Sequence, residues 1–323
     1  MIRIGIQGAG QVGKRHADAI AKIDNAQLVA VADLDESRAR EAALPHGAAF
    51  MTDYHEIYAL DLDAIINCLP HDLHHESALL AADRQLHLLL EKPICLTLTE
   101  ARDVIEACER NGVKLMTGYV HRYRQEMLDA KALIDAGQLG QIATAADNFC
   151  ASGGSHVPQW VWKKARSGGG VHMYGGIHAV DRLRWFLGSE VRTVYAKMRT
   201  YSTHMDVEDG LVAFLEFEDG ALASLVQNSP RYASLGGWRT ELFGSAGNLA
   251  INFNKSLEFS SNDNRFMRTY ERYDHFERQM REFVSAIEED RDPWVTGRDG
   301  LLSLAVVLAV YELSLIHISE PTR

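Results

Sequence analysis

A doubly wound parallel α/β sheet, followed by a second domain of α+β type with a largely antiparallel sheet, is the architecture this 323-residue chain predicts. Three features point to it. Over the first 120 residues, short runs too apolar to leave one face in water alternate with helical patterns, as in a parallel sheet covered on both sides. Beyond residue 120 the strand-like runs alternate in polarity and are joined by short glycine turns, as in hairpins. The length itself suits about two domains of ~150 residues each.

In order, Ile2–Gln7 reads as a strand, Gln11–Ile23 as a helix, Gln27–Asp33 as a strand and Glu36–Leu44 as a helix. Ala64–Leu69 and Leu86–Leu90 are strand-like, with a helix from His74 to Asp83 between them. Thr97-Leu-Thr-Glu100 is a capping box that opens a helix to Arg110, and Asn111-Gly112 stops it before a strand at Val113–Tyr119. A helix over Arg124–Ala136 and a strand over Gln141–Cys150 follow. A loop rich in Gly, Ser and Trp then leads to a helix from Val171 to Leu187. Strands are expected at Val191–Tyr201, Leu211–Phe217, Ala221–Asn228, Arg239–Phe243 and Asn248–Phe253. Helices are expected at Phe276–Glu289 and Gly300–Leu313.

Composition excludes several classes. The net charge is −11 with no basic block, so neither nucleic acid nor an anionic membrane is expected as a partner. No apolar stretch approaches the ~20 residues of a membrane span. The chain enters a strand at once, leaving no room for a secretory signal. Cys68, Cys95, Cys108 and Cys150 form no Cys-x-x-Cys pair and read as reduced thiols of a cytoplasmic protein.

Gly8-Ala-Gly10-Gln11-Val12-Gly13 directly follows the first strand and opens the first helix. Its glycines suit a tight turn, a close backbone approach to pyrophosphate and a close helix–strand contact, with the helix N-terminus attracting the anion. Asp33 ends the next strand at the offset expected of an acid that binds the adenosine ribose, and it would repel a 2′-phosphate. The cofactor is therefore NAD or NADP, with NAD favoured; Arg38 nearby could reach a phosphate or be a solvated helix charge. Glu91-Lys92-Pro93 ends another strand, where ligands bind in such sheets, and a lysine there could exchange protons if burial lowered its pKa. After Gly168-Gly-Gly170, Tyr174, His178 and Asp181 share one helical face, as a proton-handling pair with an acid or as packing at a domain boundary.

These motifs together resemble the Gfo/Idh/MocA family (glucose–fructose oxidoreductase, inositol dehydrogenase, rhizopine catabolism). The resemblance extends through Pro70 with His74, Gly118-Tyr-Val-His-Arg122, Trp162 and Glu208-Asp209, and so covers nearly the whole chain. It implies a Rossmann NAD(P)-binding domain at 1–120 and an α+β substrate and oligomerisation domain at 121–313, the oligomer forming through the C-terminal sheet. It also implies hydride transfer between a nicotinamide and a secondary alcohol or ketone of a sugar, cyclitol or polyol. Carried over by position, Lys92 is the catalytic lysine, His178 the second acid/base group and Asp181 a pocket residue. Leu69, His74, Glu91 and Lys92 fall on the cofactor side. Where family dehydrogenases usually have Asp, this chain has Tyr174, a neutral hydroxyl that could bind or stack on substrate. The segment 314–323 does not resemble the family ending and is read as an atypical, non-native tail.

Other residues keep two readings. Arg122 could orient a substrate hydroxyl or form a structural ion pair, and Trp162 could stack on a sugar face or fill a domain junction. His74 could line the cofactor crevice or cap a helix. His71-Asp-Leu-His74-His75 has metal-like spacing, but no further ligand follows at the usual intervals, so no metal is expected. Two rival functions stay open: a redox-neutral NAD-dependent glycosidase or epimerase on the same scaffold, and a non-catalytic dinucleotide-sensing regulator.

Overall fold

Strand β1 (Ile2–Gln7) lies near the middle of a six-stranded, all-parallel sheet. A computed structural model describes residues 1–150, 157–201, 205–229, 236–271 and 274–316. Helix α1 is Gln11–Ile20, β2 Ala26–Ala32, α2 Glu36–Ala43, β3 Ala49–Met51 and β4 Ala64–Asn67. They are followed by α3 (His74–Asp83), β5 (His87–Leu90), α4 (Leu98–Arg110) and β6 (Leu115–Thr117). The strand order β3-β2-β1-β4-β5-β6 reverses beside β1, so β1 and β4 diverge at the switch point where such sheets bind ligands. Ile4, Ile6, Val31, Ile65, Leu88, Leu89 and Leu90 are all fully buried, which explains their near-continuous apolar runs. The capping box forms: Thr97 Oγ1 accepts from Glu100 N at 3.2 Å, and Glu100 Oε2 accepts from Thr97 N at 3.0 Å.

The expected strand at Val113–Tyr119 is only three residues long. From Val120 to Tyr123 the chain turns into a 3-10 helix. The chain continues through α5 (Gln125–Asp135), β7 (Ile142–Cys150) and a one-turn α6 (Lys164–Ser167). The helix expected from Val171 is not uniform, because His172–Gly176 is π-helical and α7 proper is Ile177–Leu187. Seven strands follow: β8 Val191–Arg199, β9 Gly210–Phe217, β10 Leu222–Asn228, β11 Gly237–Gly244, β12 Gly247–Asn252, β13 Ser256–Ser261 and β14 Arg265–Thr269. With β7 they make an eight-stranded sheet in the order β14-β13-β12-β11-β7-β10-β9-β8, antiparallel except for the parallel pair β7–β10. On β9, Leu211, Ala213, Leu215 and Phe217 are buried while Val212 and Phe214 are exposed, so one face is packed and the other open.

Helices α8 (His275–Glu288) and α9 (Gly297–Ile316) close the chain. Two compact units result, 1–123 with 274–302 and 124–273 with 303–323. This corrects the single cut expected at residue 120, because α8 packs on α1: Phe276 meets the His16 ring edge-on at 5.0 Å, and Lys22 pairs with Asp274 at 2.5 Å. Helix α9 also runs past the expected end at Leu313, to Ile316. Ser314 lies within α9, buried, and its hydroxyl accepts from Met198 N at 3.2 Å. Residues 317–323 lie outside the described residues, as do 151–156 of the Gly/Ser/Trp loop. Among the described residues, no helix is long and apolar enough to cross a membrane.

Candidate active site

The glycine loop is shaped by two close approaches. Gly8 has φ +92°, and a Cβ there would lie 2.5 Å from the Cys68 carbonyl oxygen; at Gly13 a Cβ would lie 1.9 Å from the Gly8 carbonyl. Gly10, between them, faces open space. It is also the N-cap of α1, with no side-chain cap and no acid in the first turn. The first N–H groups of α1, at Gln11, Val12 and Gly13, are thus left for an anionic ligand. Asp33 follows β2, and its carboxylate accepts from Ala9 N at 2.8 Å and from Asp35 N at 2.9 Å. It braces the loop while each oxygen keeps lone-pair capacity for a ribose hydroxyl. Arg38 is exposed and paired with Asp35 at 3.1 Å. This donor set fits the pyrophosphate and ribose of a dinucleotide.

Lys92 stands at the carboxyl end of β5, half-buried, before a cis Lys92–Pro93 peptide. Burial lowers its ammonium pKa below the usual lysine value, and the neighbouring Glu91 charge opposes that shift. Glu91 is turned inward: His16 Nε2 of α1 donates to its Oε1 at 3.1 Å, and Lys92 N donates to its Oε2 at 3.3 Å. Its carboxylate is therefore committed to the protein rather than presented to a cofactor. His74 is corrected likewise. The ring is fully buried, with Nδ1 2.8 Å from the Pro93 carbonyl and Nε2 2.9 Å from the Leu69 carbonyl, so it lines no crevice. Those contacts also take His74 out of any metal set, and His75 faces Asp103 at 3.4 Å. Leu69 N donates to Asn67 Oδ1 at 3.1 Å, which shapes the turn after β4. Arg122 takes its structural reading, paired with Asp299 at 2.9 Å and buried. Burial alone would raise the Asp299 carboxyl, but the Arg122 charge and the Thr296 donors bring it below the usual value.

In the second unit, Gly168-Gly-Gly170 is a packing device. A Cβ at Gly169 would lie 2.0 Å from Tyr311 Oη, and one at Gly170 would lie 1.8 Å from the Glu208 carbonyl. The Glu208 carboxylate accepts from Gly170 N at 2.8 Å, His172 N at 2.9 Å and Tyr311 Oη at 2.7 Å. This clasp holds the start of the π-helical turn, a feature that often marks functional sites. Tyr174 sits on that turn, half-buried, edge-on to Trp160 at 6.4 Å. Trp162 is buried in an apolar cluster with Val161 and Val207, against which Tyr174 packs, so its ring fills a core rather than a sugar site. His178 and Asp181 are buried on α7, and the His178 ring meets Trp238 edge-on at 6.3 Å. Behind them Arg182 is completely buried and paired with Asp147, and its guanidinium lies 4.8 Å from the ring centroids of both Trp238 and Phe253.

His16, Tyr311, Arg182 and Asp147 were not among the expected site residues. Each acts through a partner distant in sequence, and no local pattern marks such a pair. His16 carried one signal: on α1, three residues past Gly13, it is a polar group on the buried face.

The family model described as "Oxidoreductase family, NAD-binding Rossmann fold" matches residues 2–119, and that of the "GFO/IDH/MocA C-terminal domain" matches 127–250. An uncharacterized oxidoreductase of Bacillus subtilis, YrbE, is 30% identical over 311 residues, covering 92% of this chain and 89% of its own. Myo-inositol 2-dehydrogenase of Thermotoga maritima is 28% identical, covering 94% and 93%. The crystal structure of the WlbA dehydrogenase from Bordetella pertussis with NADH and UDP-GlcNAcA superimposes with a TM-score of 0.84 at 26% identity, covering 97% and 96%.

Proposed function

Because this chain belongs to the Gfo/Idh/MocA family of NAD(P)-dependent oxidoreductases, we propose that it oxidises a secondary alcohol of a polyol, cyclitol or sugar, or reduces the matching ketone, with Lys92 exchanging the hydroxyl proton. The observation that carries this reading is the half-buried lysine at the end of β5, whose ammonium gives up its proton more readily because burial lowers its pKa. The bound nicotinamide supplies a carbon that accepts or returns hydride. Gly8, Gly10 and Gly13, with the N–H groups of Gln11 and Val12, hold the pyrophosphate, and Asp33 holds the adenosine ribose, which favours NAD over NADP. His178 is the second proton-handling group, and Asp181 and Tyr174 bind substrate hydroxyls. The substrate class is that of the Thermotoga maritima relative named a myo-inositol dehydrogenase.

Two further assignments belong to this reading. The open face of the second sheet exposes Tyr195, Val212, Phe214, Leu222 and Phe243 and carries an apolar cavity of about 450 Å³, which supports a homo-oligomer contact there. Cys68, Cys95, Cys108 and Cys150 are all free thiols, which supports a reducing, cytoplasmic setting.

The test is absorbance of the reduced nicotinamide across cyclitols, aldoses and sugar phosphates, with NAD and with NADP. Turnover of at least one polyol, faster with NAD, is the expected result. Dinucleotide binding with no turnover of any member would refute the reading in favour of a sensor.

A further inference from the structure

Lys92 is flanked by two residues whose polar groups are each held by a buried histidine from a different helix. On one side, His16 of α1 holds the Glu91 carboxylate at 3.1 Å. That carboxylate lies close against Gly118, where a Cβ would come within 2.8 Å of its carboxyl carbon. On the other side, His74 of α3 holds the Pro93 carbonyl at 2.8 Å and spans to the Leu69 carbonyl at 2.9 Å. Both rings have no exposed surface, so neither reaches a ligand. A polar ring buried this deeply costs desolvation that an apolar side chain of similar size would not, unless its hydrogen bonds are needed.

We propose that His16 and His74 are positioning residues that clamp the residues on either side of Lys92, His16 through the Glu91 carboxylate and His74 through the Pro93 carbonyl, fixing the direction in which its amine leaves β5. His16 also ties that direction to α1, the helix that the glycine loop opens. A displacement of this helix reaches the residue next to the lysine through one hydrogen bond. The proposal rests on Lys92 as the proton-exchanging group.

Four full-length variants test it: His16→Leu and His74→Leu remove the donors, and His16→Gln and His74→Gln keep side-chain N–H groups. Three quantities are read: the NADH dissociation constant by fluorescence, the pH midpoint of Lys92 acetylation by trace acetic anhydride (quantified on its peptide by mass spectrometry), and kcat on the best polyol of the panel. The Glu91 charge and the buried His74 ring both bear on the amine, so midpoints are compared with wild type.

In the leucine variants kcat is expected to fall roughly 10- to 100-fold with the NADH constant within about threefold, because misplacing a catalytic group by ~1 Å has that effect. In His16→Leu the Lys92 midpoint departs from wild type, because the Glu91 charge that bears on the amine loses its fixed position. The glutamine variants recover most of kcat. Wild-type midpoints and kcat in the leucine variants overturn the proposal. So does a loss of kcat and NADH affinity together that glutamine does not rescue, since that marks a role in folding alone. If a leucine variant does not fold, His16→Asn, whose amide falls short of Glu91, is read the same way. Failure of the underlying reading looks different: Lys92→Met would keep full turnover.

Discussion

His172 is fully buried with Nδ1 2.8 Å from Gln227 Oε1, and burial lowers its imidazole from 6.5 to about 4. Between those values the unfolded chain takes up a proton that the folded chain refuses, so stability is fully present above about pH 6.5 and is lost as pH falls through about 4. The loss from this one residue is up to ~3 kcal/mol. Glu208 works in the opposite sense: burial raises its carboxyl above the usual 4.5, so protonation there favours the folded chain. Urea unfolding at a series of pH values, in wild type and His172→Gln, separates the two. A flatter acid limb is expected in the variant, and an unchanged slope would show that another group carries it.

At the scale of elements, the π-helical turn His172–Gly176 is held by three donors on one carboxylate, and one of them, Tyr311 Oη, comes from α9. Tyr311 Oη also accepts from Met173 N at 3.2 Å, so Tyr311→Phe strips a donor from Glu208 and an acceptor from the turn. A loss of about 1–3 kcal/mol is expected in thermal unfolding, with a larger effect on kcat than on cofactor affinity. Wild-type stability and kcat would remove the clasp from the account. The same turn shows where sequence reading stops. The glycine loop and the Thr97 capping box were legible because each is a local pattern whose meaning lies within a few residues. The π turn was not, since Val171–Leu187 carries one helical pattern and the carboxylate that holds the start of the turn, Glu208, lies far along the chain. β3 is three residues long, and β13 and β14 are serine- and charge-rich strands toward the sheet edge, so neither length nor alternation marked them. Lys92 is legible from its place at a strand end, but its histidine clamp depends on tertiary contacts.

Across the whole molecule, the first unit borrows 274–302 from the far end of the sequence, which is why a single linear cut missed it. The second unit leaves Phe214 at 58% and Tyr195 at 55% exposed on one sheet face, a loss of burial that a second copy would recover. The homo-oligomer contact proposed for that face predicts that Phe214→Glu shifts the sedimentation coefficient toward the monomer while each unit keeps its fold by circular dichroism; an unchanged coefficient would contradict it. The central claim is that hydride leaves a carbinol carbon while Lys92 takes the proton. Its most direct measurement uses the best polyol of the panel deuterated at that carbon, with mass spectrometry of the recovered cofactor. The account expects one deuterium in the reduced nicotinamide with wild type, and at least ~100-fold slower transfer by Lys92→Met at unchanged NADH affinity. Full-rate transfer by Lys92→Met, or substrate conversion with no deuterium in the cofactor, would contradict it.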